Sequence, residues 1–81
     1  MRIAISKDGH VYQIEAPART KIFYGDRSMW VHFDLVCLDG EMYLARHVLD
    51  MARTGENGFR VVGLLPMDQG CPPGVAWIAD L

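Results

Sequence analysis

The chain has 81 residues, 51% of them hydrophobic and 22% charged, and its eight Lys and Arg against ten Asp and Glu leave a formal net charge of −2. That length predicts a single compact domain over residues 1–81, resting on one small core with little room for a deep active-site cleft. Balanced charge disfavours holding nucleic acid by electrostatics alone; no apolar run approaches the roughly 18 residues of a membrane span, and the N-terminus lacks a secretory pattern, so no membrane role and a cytoplasmic location are expected.

The first two predicted strands, "RIAIS" and "HVYQIEA", flank Lys7-Asp8-Gly9-His10. Asp-Gly supplies the positive φ angles of a two-residue hairpin turn, which makes these strands antiparallel neighbours. Pro17 removes a backbone donor and ends the second strand. "KIFYG" forms the third and leads through Gly25-Asp26 into the long fourth strand "SMWVHFDLVCL", residues 28–38. Met29, Val31, Phe33, Leu35 and Cys37 alternate as one apolar face, expected to be buried. The opposite face reads Trp30, His32, Asp34, Val36 and Leu38, a mixture of kinds.

The period changes between Glu41 and Arg53, where a helix is predicted. Tyr43, Arg46, His47, Asp50 and Arg53 fall on a polar stripe, and Leu44, Ala45, Val48, Leu49 and Ala52 on an apolar one. Arg46 and Asp50 have i,i+4 spacing for an ion pair. Asp39 is placed to cap the helix and Gly55 to close it, although Asp39-Gly40 is equally a hairpin signal that would begin "EMYL" as a strand. After "GENG", the run "FRVVGLLP" is apolar at both parities, the pattern of an interior strand covered on both sides. "VAWIADL" supplies a last strand. The expected architecture is α+β, an antiparallel sheet of five or six short strands with one helix on one face, in the order ββββαββ. Its core is assigned to Ile3, Ile5, Val31, Phe33, Leu35, Leu44, Val48, Val61 and Trp77.

Chemical motifs are sparse. Cys37 and Cys71 are too few for a disulfide scaffold and form no CxxC; Cys37 fits a buried small hydrophobe, and Cys71 lies in the loop sequence "DQGCPPG". His32 and Asp34 share a strand face about 7 Å apart, and His10 could join them as a metal ligand, whereas His47 belongs to the solvent stripe of the helix. Without HExxH, paired CxxC or a calcium-loop pattern, no metal and no cofactor are expected. Ser6 and Ser28 have no reason to converge on His10 or His32, so no catalytic residue is assigned. No GxGxxG or P-loop supports nucleotide binding. Arg19, Lys21 and Arg27, with Tyr24 and Trp30, mix cations with rings able to stack on bases, and make single-stranded nucleic acid a secondary expectation.

A single helix cannot cover both faces of such a sheet. The Trp30, His32, Asp34, Val36 and Leu38 face is then either a partner surface or covered internally by the loop "PMDQGCPPG" or a curled sheet. The favoured expectation is a non-catalytic protein-binding module. Trp30, His32 and Asp34, with Tyr24 and Arg27 beside them, would contact a host protein complex or a second copy in a homodimer. In size and general character, with no motif involved, the chain is similar to small phage or mobile-element inhibitors, anti-CRISPR proteins among them. The alternatives are a minimal metal-dependent or acid-base enzyme using His32 and Asp34, and a weak nucleic-acid binder using the Arg19-Lys21-Arg27 hairpin.

Overall fold

The computed structural model describes residues 1–23 and 35–66, and the backbone of residues 77–80. Its first hairpin follows from local chemistry. Strands β1 (Arg2–Lys7) and β2 (His10–Glu15) pair antiparallel with Lys7 opposite His10. Between them Asp8 and Gly9 take φ of 53° and 78°, the two left-handed residues of a type I′ turn. The same device recurs between β4 (Leu35–Leu38) and β5 (Glu41–Leu44), where Asp39 and Gly40 take φ of 52° and 84°. Asp39 therefore does not cap the helix. That position needs an extended backbone, and Leu44 occupies it with no side-chain capping bond.

The helix α1 spans Ala45–Thr54, starting later than the sequence pattern implies because "EMYL" is strand β5. Ala45, Val48, Leu49, Met51 and Ala52 form its buried face, and Arg46, His47, Asp50 and Arg53 are exposed, as the 3.6-residue spacing requires. Gly55 ends it at φ 76°, ψ 18°, donating its N–H to the Met51 carbonyl. A side chain in this left-handed conformation is strained. Gly55→Ala is expected to lower stability by about 1 kcal/mol, read as a lower denaturation midpoint at unchanged slope.

The strands divide into two antiparallel sheets. One has the order β6-β2-β1-β7, with β6 at Arg60–Pro66 and β7 at Trp77–Asp80; the other has the order β3-β4-β5, with β3 at Lys21–Phe23. The α+β class and its single helix hold among the described residues. The single expected sheet does not, and the division changes what covers what. One buried cluster draws Ile3, Ile5 and Ile14 from the first sheet, Val36 and Leu38 from the second, Val48 and Leu49 from α1, and Phe59 from the turn after it. Both sheets and the helix thus contribute to one core, where the sequence pattern implies one sheet with the helix on one face and leaves the other face to a partner or to internal cover.

Val36 and Leu38 are buried while Leu35 and Cys37 are only half-buried, so the end of the long strand faces opposite to its predicted parity. Val61 is half-buried, packed against the margin of the core, and Leu44 is half-buried outside that cluster, whereas Ile3, Ile5 and Val48 lie fully inside it. Strand β6 is at the end of its sheet among the described residues, with Val62, Leu64 and Leu65 exposed, instead of in the interior. Its pairing with β2 shifts register between Gln13 and Ile14, which face Gly63 and Val61 and leave Val62 over as a bulge. Val31 and Phe33, the remaining predicted core residues of that long strand, lie outside the described residues, as does the side chain of Trp77.

The first residues are tied to the end of β2. The Met1 ammonium lies 3.2 Å from Glu15 Oε1 and donates to the Ala16 carbonyl at 3.1 Å, and Arg2 Nε is 3.6 Å from Glu15 Oε2. The ammonium hydrogen bond, then its charge, hold the Glu15 carboxyl below its ordinary value of 4.5, with Arg2 adding to the effect against a smaller opposing effect of desolvation. A lowered folded-state pKa means that this stabilisation is full above the unfolded value and lost as pH falls through the folded one. Glu15→Gln is expected to flatten the fall in thermal midpoint below pH 4.5, and an unchanged acid limb would show that the pair contributes nothing.

Candidate binding surface

The second sheet positions its side chains in three cross-strand rows. Ile22, Val36 and Tyr43 form the middle row and face the core. Alternation therefore turns the flanking rows outward: Phe23, Leu35 and Leu44 in one, Lys21, Cys37 and Met42 in the other. Phe23 is 48% and Met42 49% exposed, and Leu35, Cys37 and Leu44 are half-buried beside them. Five of these six side chains are apolar, and only Lys21 carries charge. Such a concentration on one outward face departs from the scattered apolar residues of an ordinary surface.

A second exposed group sits where α1 ends over β2. The Arg53 guanidinium lies 5.0 Å from the centre of the Tyr12 ring, and its Nη2 donates to the Tyr12 hydroxyl at 2.9 Å. Arg53 Nη1 also reaches Asp50 at 3.7 Å, an i,i+3 pair within the helix. The His10 ring lies 6.5 Å from Tyr12, and its Nδ1 is 3.0 Å from the Asp8 carbonyl. Leu64 and Pro66 stand opposite Tyr12 and His10 on β6. This group joins helix to sheet and is accounted for by those contacts.

The five residues expected to bind a partner, Tyr24, Arg27, Trp30, His32 and Asp34, lie outside the described residues, as do Gly25 and Asp26, where the sequence predicts a turn. They occupy the chain between Phe23 and Leu35, which are themselves paired across β3 and β4. Of the remaining candidates, Arg19 reaches Asp39 at 3.3 Å, an exposed pair that offsets part of the proposed basic hairpin. Lys21 stands opposite Cys37. Ser6 is buried in β1, whereas His10 is exposed, and His47 is on the exposed stripe of α1. Among the described residues no three His, Cys, Asp or Glu side chains converge as a metal site, and no helix is long and apolar enough to cross a membrane.

Sequence reasoning missed Phe23, Met42 and the outward role of Leu35. Met42 was obscured by its place in the predicted helix. The detectable signal was Asp39-Gly40: a hairpin there makes "EMYL" a strand and puts Met42 on a sheet face. No family model, curated protein or solved structure matches the chain.

Proposed function

We propose that this chain is a non-catalytic protein-binding module that engages its partner through the outward face of β3-β4-β5 and the 24–34 segment continuous with it. The observation that carries the reading is the pair of outward rows in which Phe23 and Met42 are each about half exposed among Leu35, Cys37 and Leu44. Interface energy concentrates in aromatic, Met and Arg side chains that become enclosed on binding. Phe23 and Met42 are of this kind, and Tyr24, Arg27 and Trp30 come within the next seven positions of the chain after Phe23. The small size and absence of a recognisable catalytic motif favour a protein that acts by occupying a surface of a larger complex, in the manner of a phage-type or anti-CRISPR-like inhibitor.

Trp30→Ala and Phe23→Ala test this reading in parallel. Truncating a true anchor costs about 2 to 4 kcal/mol, roughly thirty- to a thousand-fold in affinity. Each variant is expected to lose self-association in light scattering, or capture of a defined host complex in a pull-down, while circular dichroism stays native. Unchanged binding in both variants would sink the proposal. Loss of binding on Arg46→Ala with both of those variants intact would transfer the interface to the helix.

A further inference from the structure

The turn between α1 and β6 places a reactive dipeptide in a restrained geometry. Asn57 is the sole asparagine of the chain and is followed by Gly58. Asn57 is exposed, with φ 55° and ψ 21°, and Gly58 is also left-handed at φ 82°. An Asn-Gly bond is chemically prone to cyclise, because glycine leaves the following nitrogen unhindered. That nitrogen attacks the Asn57 side-chain carbonyl carbon, a new C–N bond forms, the bond to Nδ2 breaks, and ammonia leaves with the transferred proton. Water then opens the succinimide at either carbonyl to give aspartate or isoaspartate. The net change is Asn plus water to Asp or isoaspartate plus ammonia, with no oxidant or reductant required.

The folded turn opposes the first step. At ψ 21° the Gly58 nitrogen lies nearly eclipsed with Asn57's own backbone nitrogen, which turns it away from the Cβ branch that carries the carbonyl. Several contacts hold this arrangement. Phe59 donates its N–H to the Glu56 carbonyl at 3.0 Å and is itself fully buried. Asn57 Nδ2 lies 3.1 Å from Met51 Sδ. Pro17 Cγ sits so close to Gly58 that an added Cβ would come within 3.1 Å of it. Rotation about ψ thus requires the turn to open.

We infer that Asn57–Gly58 is a deamidation site gated by opening of the α1–β6 turn, and that its product loosens the Phe59 anchor. The consequence follows from covalent geometry. Isoaspartate adds a methylene to the main chain within the two left-handed residues that aim Phe59 into the core, and either product adds an anion beside Glu56 at the negative end of α1.

The test compares full-length chain in mildly alkaline buffer when folded and when held unfolded in guanidinium, following the mass gain of about 1 Da expected for replacing an amide NH2 by OH. Modification of the folded chain is expected to be at least about ten-fold slower, because only the opened fraction reacts. Pro17→Ala is expected to narrow that ratio without unfolding the domain, and Asn57→Gln to abolish the signal. The modified chain, separated by its extra negative charge, is expected to melt below the unmodified one. Equal rates folded and unfolded would overturn the gating. No mass gain in guanidinium would overturn the site, and an unchanged melting midpoint after modification would overturn the link to Phe59.

Discussion

Phe59→Ala is expected to lower the unfolding free energy by about 3 to 5 kcal/mol, the range for removing an enclosed aromatic ring. Phe59 is the largest of the fully buried side chains among the described residues. It leaves the turn after α1 at φ −82°, ψ 142°, already extended, and shares one cluster with Ile3, Ile14, Val36 and Leu49. Truncation would therefore open a cavity in the cluster to which both sheets and the helix contribute. Set against the roughly 5 to 15 kcal/mol that holds most domains folded, this is a large share. Chemical denaturation followed by tryptophan fluorescence measures it. A loss under 1 kcal/mol would mean that the ring sits at the edge of the core.

The second large effect separates two adjacent residues. Val36→Asp is expected to unfold the domain or cost several kcal/mol, since the new carboxylate would be enclosed without a partner. Leu35→Asp is expected to be far milder, because its row faces outward with Phe23 and Leu44. Denaturation midpoints of the two variants give the answer. The reverse order would restore the face assignment that alternation in the sequence implies and would remove the proposed binding surface with it. Leu35→Asp has a further use: a folded chain that no longer binds would place the partner on the second sheet.

Those residues also show where the sequence was legible and where it was not. The Asp8-Gly9 hairpin could be read directly, since the turn type is set by the two residues that form it; Asp39-Gly40 is open in sequence between hairpin and helix cap, and the fold makes it a hairpin. The exposed stripe of α1 was equally clear from Arg46, His47, Asp50 and Arg53. Parity failed in "LVCL" for a physical reason: with four apolar residues in succession, alternation carries no information about which side is buried. The prediction extended the pattern of Val31 and Phe33 forward, while the fold turns Val36 and Leu38 inward. Strand β6 misled in a related way: apolar residues at both parities fit a strand covered on both faces, yet β6 lies at the end of its sheet among the described residues, and Leu64 and Leu65, in regular register with Tyr12 and Val11, stay exposed. As for the candidate site, the chain between Phe23 and Leu35 was singled out from Trp30 and its neighbours, but the exposed residues next to it were not.

The two Asp-Gly turns have a consequence for the order in which the fold assembles. Hairpins closed by two residues order little chain before their first contacts form, whereas β1 meets β7 across nearly the whole sequence, with Ile3 opposite Asp80. The β1–β2 and β4–β5 hairpins are then the early structured parts, and attachment of β7 is a late step. Substitutions at Ile14 should slow folding, and those in β7 should mainly speed unfolding. A chevron analysis in which Ile78→Val changed only the folding limb would reverse that sequence of events.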